Sequence, residues 1–209
     1  MSLIRSLSLL FVLAASALPA ALFGAAPPNP ADTQGGAFLT GQLLIASPVM
    51  RDPRFRETVL VMVRHNKDGA MGMVINRPMG EQPLARLFEA LGESGKGVTG
   101  KVPVYYGGPV QPELGLVLHS GDYRRAGTLD IDGRVAMTAT KEIFRDIAAR
   151  TGPGKSLIAF GYAGWSPGQL EGELALNAWF TAPFDPKLVF DEDRDKVWGI
   201  AKERRTRDL

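Results

Sequence analysis

Residues 164–168, Gly-Trp-Ser-Pro-Gly, match the pattern G-x-S-x-G, which in α/β hydrolases holds a nucleophilic serine between a strand and a helix. Pro167 argues against that chemistry, because proline lacks the backbone N–H that the residue after the nucleophile contributes to the oxyanion hole. Both histidines of the chain also precede the serine, whereas the hydrolase order places histidine last. The pattern therefore predicts a helix start, with Ser166 as N-cap, Pro167 as the first helical residue and Gln169 completing a capping box.

His65 and His119 are the only histidines, and each stands at the end of a predicted strand. An enzyme of hydrolase type could use either imidazole as a general base near Glu173. No H-E-x-x-H spacing and no cysteine accompany them, and a structural zinc site needs four ligands. We therefore predict two structural histidines, no metal site, no cofactor and no assigned catalytic residue, and we keep the enzyme as an alternative.

A polar stripe accompanies the tryptophan of the same motif. Gln169, Glu173 and Asn177 are spaced by four residues, so they share one face of a helix predicted over residues 166–180. The stripe begins beside Trp165, which ends the preceding apolar run. Strand, tight turn and helix predict a rigid platform that presents an indole ring and three polar side chains to a ligand.

The elements that must position this platform follow from hydrophobic periodicity and turn residues. Two hairpins are indicated by Asp-Gly turns. The predicted strands are 38–46, 58–64, 70–76, 102–106, 114–119, 128–131, 135–138 and 156–163, and the predicted helices are 83–91, 140–150, 166–180 and 191–207. The mixture indicates an α+β or mixed α/β class, with one domain at residues 38–209.

Composition excludes several classes of protein. The chain has 209 residues, a formal net charge of +2, 22% charged residues and no cysteine. The absence of cysteine removes disulfides, thiolate catalysis and cysteine-ligated metals. Basic residues form no strong cluster, so direct binding of nucleic acid is not favoured.

The N-terminus differs from the rest of the chain. Arg5 precedes an uncharged run rich in leucine and alanine at residues 6–26, which is typical of a secretory signal or a membrane anchor. Residues 27–37 are rich in proline and glycine and are typical of a linker. We expect export to the periplasm or anchorage in the inner membrane through residues 6–26. The alternative is a cytoplasmic protein whose start codon is misassigned.

Several long motifs, in the same order, resemble the bacterial YqgE/AlgH family. They are ASPVMRDPRFRETV at 46–59, HNKDGAMGMVINRP at 65–78, YGGPV at 106–110, VLHS at 117–120 and FGYAGWSPGQLEGELALNAWF at 160–180. The resemblance implies an α/β sandwich on a mixed, partly antiparallel sheet. It implies no established biochemical activity, and the family's label of transcriptional regulator rests on genetic effects. Its members are generally treated as cytoplasmic, and the hydrophobic N-terminus departs from that expectation.

The preferred hypothesis is a non-enzymatic module that binds a protein or a small ligand, of unknown identity, in a shallow cleft. The alternatives are a transcriptional regulator and the hydrolase-type enzyme. The cleft is expected between the turns at 76–78 and 107–109 and the segment 165–177. The candidate binding residues are His65, Asn76, Arg77, Pro78, Gly107, Gly108, Pro109, His119, Tyr162, Trp165, Gln169, Glu173 and Asn177.

Overall fold

The computed structural model of the protein describes residues 38–206. The predicted signal or anchor segment at 1–26 and the predicted linker at 27–37 lie outside the described residues. In chain order the elements are β1 (Leu43–Ala46), β2 (Val59–Asn66), β3 (Gly69–Val74), β4 (Pro78–Pro83), α1 (Leu84–Ala90), β5 (Lys101–Tyr106), β6 (Val110–Ser120), β7 (Thr128–Asp130), β8 (Val135–Thr138), α2 (Lys141–Ala148), β9 (Ser156–Trp165), α3 (Gln169–Ala175), β10 (Trp179–Ala182), α4 (Pro186–Phe190) and α5 (Arg194–Glu203).

The strands form one sheet in the order β10-β1-β2-β3-β9-β6-β8-β7, with the β4–β5 hairpin attached to β9. All strand pairs are antiparallel except β5 with β9. Strand β9 is the centre of the sheet, because β6 pairs along one of its edges and both β3 and β5 pair along the other. Its last residues, Ala163 to Trp165, pair with β3.

Along strand β9, the alternation of side chains between the two faces of the sheet shifts at Gly161. This residue has φ +73, and a Cβ on it would lie 2.4 Å from the carbonyl oxygen of Gly108, so only glycine fits the bulge. Before the bulge Ala159 faces one side of the sheet, and after it Tyr162 faces that same side. Trp165 consequently reaches the opposite face, where α3 packs.

The two faces of the sheet carry different apolar clusters. One face bears a single cluster that runs from β1 to β8 and packs against α4 and α5. The other face bears two clusters, of which one lies beneath α3 and the other beneath α1 and α2. The cluster beneath α3 includes Leu170 and Trp165 and fixes the position of α3 relative to the end of β9.

The mixed, partly antiparallel sheet is confirmed. It is mostly antiparallel and carries a few helices, so the sheet dominates the architecture more than the terms α+β and α/β sandwich imply. Both Asp-Gly hairpins are present, as are the helices predicted at 83–91 and 140–150. Strand β4 was not predicted. Its two prolines, Pro78 and Pro83, lie at the two ends of a mostly exposed strand, where proline is tolerated.

The predicted C-terminal helix over 191–207 is wrong in its bounds. Helix α4 begins earlier, where the Asp185 carboxylate accepts the backbone N–H of Lys187 at 2.9 Å and Pro186 occupies the first turn. Asp193 then caps α5 by accepting the N–H of Asp195 at 3.2 Å. The predicted helix is thus shortened to α5, and α4, which precedes it, was not predicted.

Candidate functional site

A cleft of about 520 Å³ lies where the end of β9, helix α3 and the β1–β2 loop meet. Its floor and walls contain two tryptophans, two arginines, two carboxylates and several aliphatic side chains. The lining residues are Val49, Met50, Arg51, Asp52, Arg54, Phe55, Pro109, Val110, Gly164, Trp165, Gln169, Glu173, Leu176, Ala178 and Trp179.

Glu173 organises the floor of the cleft. Its Oε2 accepts the indole N–H of Trp165 at 2.9 Å and that of Trp179 at 2.7 Å. Its Oε1 accepts the side-chain amide of Gln169 at 3.0 Å, and the Gln169 carbonyl oxygen accepts the backbone N–H of Ser166 at 3.1 Å. The two indole rings pack edge to face, with centroids 6.0 Å apart. The floor is therefore a closed hydrogen-bonded network on buried aromatic rings.

Helix α3 begins later than the sequence predicts. Gly168, with φ +76, is its N-cap, and no side chain caps the helix. The predicted N-cap role of Ser166 is therefore wrong, because the αL conformation of Gly168 starts the helix two residues further on. Gln169 still bonds to the N–H of Ser166, which is one half of the predicted capping box.

Helix α3 also ends five residues earlier than predicted. Asn177 has φ 53, its N–H bonds to the carbonyl of Leu174, and the N–H of Ala178 bonds to the carbonyl of Glu173. These two bonds form a Schellman motif with Asn177 as the αL residue. Asn177 is therefore a helix-ending residue and not part of the Gln169–Glu173 stripe. The reversal leads directly into β10, which places Trp179 beside Trp165.

The β1–β2 loop, residues 47–58, forms the second wall of the cleft. Asp52 accepts the Arg54 guanidinium at 2.6 Å and the Arg54 backbone N–H at 2.9 Å, and these bonds lower the pKa of the Asp52 carboxyl. Phe55 packs edge to face on Trp179 at 5.5 Å. The loop is thereby attached to the tryptophan floor.

Asn76 and Arg77 hold this loop from outside the cleft. Asn76 accepts the N–H of Val59 and donates to the carbonyl of Glu57, both at 2.9 Å. The Arg77 guanidinium donates to the carbonyl of Arg56. Neither side chain lines the cleft, nor does Pro78, which begins β4. The predicted turn at 76–78 thus supports the wall and does not form it.

The Gly107-Gly108-Pro109 turn packs against the main chain of β9. A Cβ on Gly107 would lie 2.2 Å from the carbonyl oxygen of Gly161, and one on Gly108 would lie 2.1 Å from the carbonyl carbon of Tyr162. Only Pro109 of this turn lines the cleft. Tyr162 faces the opposite side of the sheet from the cleft, and its burial raises the pKa of its phenol.

His65 has both ring nitrogens engaged. Nδ1 accepts the backbone N–H of Leu39 at 3.1 Å, so Nε2 carries the proton and donates to the Glu171 carboxylate at 2.9 Å. The pKa of Glu171 is lowered, first by its own backbone N–H and then by His65. The ring also packs edge to face on Phe38 at 5.4 Å. These contacts join the start of the described chain to β2 and α3.

His119 is fully buried in a chain of hydrogen bonds. Nδ1 donates to the carbonyl of Ser120 at 2.9 Å, and Nε2 accepts from the hydroxyl of Thr138 at 2.9 Å. The Thr138 hydroxyl in turn bonds to that of Thr128 at 2.8 Å. Burial lowers the pKa of His119. Burial therefore favours the neutral imidazole in the folded protein.

The two histidines are not brought together. His119 pairs with Ser156 at the start of β9. His65 pairs with Ala70 of β3, which in turn pairs with Trp165 at the end of β9. At about 3.3 Å per residue, the length of β9 separates them by up to about 30 Å. Glu173 bonds to neither ring. The three residues of the predicted enzyme site, His65, His119 and Glu173, therefore do not lie together.

Of the thirteen predicted binding residues, only Pro109, Trp165, Gln169 and Glu173 line the cleft. The β1–β2 loop, Leu176 and Trp179 were not predicted. Within residues 38–206 no group of three or more histidine or acidic side chains is placed to hold a metal ion. In the same part of the chain, no helix has the length and hydrophobicity needed to cross a bilayer.

A curled, mostly antiparallel sheet with this arrangement of helices defines the AlgH-like class of proteins, and the sequence matches that family over residues 43–209. The chain belongs to the AlgH-like family. A UPF0301 protein of Jannaschia sp. (strain CCS1) is 50% identical over 165 residues, which cover 78% of this chain and 86% of that protein. A UPF0301 protein of Afipia carboxidovorans is 42% identical over 190 residues, with coverages of 87% and 90%.

Two solved structures share the fold. The solution structure of the AlgH protein from Pseudomonas aeruginosa superposes with a TM-score of 0.71 at 43% identity, covering 81% of this chain and 90% of that one. A crystal structure of a Corynebacterium diphtheriae protein gives a TM-score of 0.65 at 19% identity, covering 82% and 89%. The second likeness concerns the fold alone. The names of these relatives state no activity and no ligand.

Proposed function

We propose that the protein is a non-enzymatic binding protein whose cleft holds part of a partner protein or a small ligand. The observation that carries this proposal is a pair of exposed aliphatic side chains above a rigid aromatic floor. Val49, from the β1–β2 loop, is 68% exposed, and Leu176, at the end of α3, is 79% exposed. Exposed apolar groups that line a concave surface are typical anchor points for a partner.

The chemistry of the floor supports recognition over catalysis. Both carboxylate oxygens of Glu173 already accept hydrogen bonds from the protein, so this group is not free to act as a general base. The same bonds hold Trp165 and Trp179 in fixed orientations. A surface that is ordered before binding loses less conformational entropy when its partner arrives.

The two alternatives have weaker support. The enzyme alternative relied on His65 or His119 near Glu173, and these residues share no location. The regulator alternative needs a clustered basic surface. Several of the described arginines are paired with carboxylates instead, among them Arg124 with Asp130 and Arg125 with Asp146. Binding through the cleft is therefore the preferred function.

Quantitative co-purification from the native host tests the proposal. The double variant Val49→Asp/Leu176→Asp removes the exposed anchors, and Leu129→Asp on β7 is the matched control, because Leu129 is 39% exposed and does not line the cleft. We expect a partner that is recovered with the wild type and with the control, and that falls at least about tenfold with the double variant. An identical set of recovered molecules for all three proteins would contradict the proposal.

We also propose that residues 6–26 direct the protein to the periplasm or the inner membrane. The support is the charge and hydrophobicity pattern of these residues, which is typical of export signals. Cell fractionation with an antibody against the described domain tests the proposal. Recovery of an uncut, soluble protein from the cytosol would contradict it and would favour the misassigned start codon.

A further inference from the structure

The hydrogen-bond acceptors on the cleft's side chains are already in use. Glu173 accepts from two indoles and one amide. The Gln169 carbonyl oxygen accepts the N–H of Ser166. The Asp52 carboxylate accepts the side chain and the backbone N–H of Arg54. A ligand that offered mainly hydrogen-bond donors would therefore compete with donors of the protein for these acceptors.

The side-chain groups that remain available are donors. Arg51 lines the cleft, is exposed, and makes no side-chain hydrogen bond or ion pair with any residue in the described range 38–206. Arg54 uses Nε and Nη2 on Asp52, which leaves its Nη1 without a partner among the same residues. Guanidinium groups bind carboxylates through paired N–H donors. The unpaired guanidinium N–H groups in the cleft lining are therefore suited to an anionic acceptor.

One aliphatic anchor, Val49, is close to Arg51 in the chain. Val49 and Arg51 are separated by a single residue of the β1–β2 loop, and Leu176 contributes a second exposed aliphatic surface from α3. A ligand that satisfies both groups must carry an apolar side chain and a negative charge a few ångströms apart. An aliphatic residue next to aspartate or glutamate in an extended chain has this arrangement.

The exposure of the anchors favours a large partner over a small molecule. Small-molecule pockets bury most of the ligand's surface. Here both anchors are more than two-thirds exposed, so they become buried only when a broader surface covers them. A segment that belongs to a protein provides that cover.

We propose that the occupant of the cleft is an extended segment of a partner protein in which an aliphatic side chain stands next to an aspartate or glutamate. The carboxylate binds Arg51, with Arg54 beside it, and the aliphatic side chain packs between Val49 and Leu176. This inference rests on the proposed function, because it requires the cleft to be a binding surface.

Calorimetric titration of the full chain with matched peptides tests the inference. The probes are acetyl-Gly-Leu-Glu-Leu-Gly-amide, its counterparts with Gln or Lys in place of Glu, and sodium octanoate as a small anionic amphiphile. We expect the Glu peptide to bind at least about tenfold more tightly than each of the other probes, and to weaken as salt is raised. Arg51→Gln should weaken the Glu peptide about tenfold or more. Arg56→Gln is the matched control, because Arg56 is exposed in the same loop but does not line the cleft, and it should bind as the wild type does.

The possible failures are distinguishable. Equal affinity for the Glu, Gln and Lys peptides, abolished by Leu176→Asp, would overturn the charge requirement and leave the proposed function standing. Tighter binding of octanoate than of any peptide would overturn the assignment to a protein segment. No measurable binding of the Glu peptide at about 1 mM would overturn the inference. The co-purification experiment would then decide separately whether the cleft binds a partner.

Discussion

Replacing Glu173 with leucine should destabilise the protein far more than an ordinary surface substitution does. The carboxylate is the acceptor for two indole N–H groups, on Trp165 and Trp179, whose residues are only 7% and 3% exposed. Leucine provides no acceptor, and the two N–H groups would be left without a partner in a mostly apolar floor. The loss in the free energy of unfolding follows from the number of hydrogen bonds removed.

A hydrogen bond to a charged group contributes about 1.5–3 kcal/mol. Glu173 is half-buried and the cleft admits water, so the lower value applies to each indole; the lost bond from Gln169 adds about 1 kcal/mol, and the total is about 4 kcal/mol. Glu173→Gln retains one carbonyl oxygen for the indoles and loses mainly the bond from Gln169, so it should cost about 1 kcal/mol. Glu89→Leu, an exposed change on α1, should stay within about 0.5 kcal/mol of the wild type.

Urea unfolding followed by far-ultraviolet circular dichroism measures these differences without relying on tryptophan fluorescence. The slope of the transition should stay constant, so that midpoints report stability. Trp179→Phe in the Glu173→Leu background should cost less than it does in the wild type, because its N–H has already lost its acceptor. A Glu173→Leu variant within about 0.5 kcal/mol of the wild type would refute the role given to this carboxylate.

Three further predictions concern the frame around the cleft, and a fourth concerns the buried His119. Gly108→Ala should cost about 3 kcal/mol or prevent folding, since its Cβ would lie 2.1 Å from the carbonyl carbon of Tyr162. Gly172→Ala in α3 meets nothing within 4 Å and should stabilise by up to about 1 kcal/mol in thermal unfolding. Asn177→Val should cost about 1–2 kcal/mol because of its φ of 53, whereas Asn177→Gly should not. In the folded protein the pKa of His119 is lowered from its ordinary value of 6.5. As the pH drops below 6.5, the unfolded chain binds this proton more readily than the folded chain, so the free energy of unfolding falls. His119→Gln should flatten this pH dependence of the free energy of unfolding, measured by denaturant titration at several pH values. The same pH dependence in the variant and the wild type would contradict the prediction.

Local patterns in the sequence predict the local parts of this fold. Asp-Gly turns between β-branched runs predict both hairpins, and apolar spacing predicts α1. The strand–turn–helix character of residues 160–180 also indicates that Trp165, Gln169 and Glu173 lie together. Each of these features depends on residues close to one another in the chain.

The rest of the site depends on pairing between distant strands. Ala46 pairs with Trp179, and this register carries the β1–β2 loop to the end of α3. Nothing local to residues 47–58 indicates that neighbour. Asn177 was assigned to a helix because its spacing fits one, whereas the pairing of β10 requires the chain to turn back at that residue. Tertiary contacts override helical periodicity here.

Site-specific photo-crosslinking in the native host tests the central claim most directly. A benzophenone side chain would replace Leu176 in the cleft or, as the control, Leu129 on β7. We predict that one discrete protein is crosslinked from position 176 and is not crosslinked from position 129. This crosslink should disappear when Arg51→Gln is added. Identical crosslinking patterns from the two positions would contradict the claim that the cleft is the binding surface.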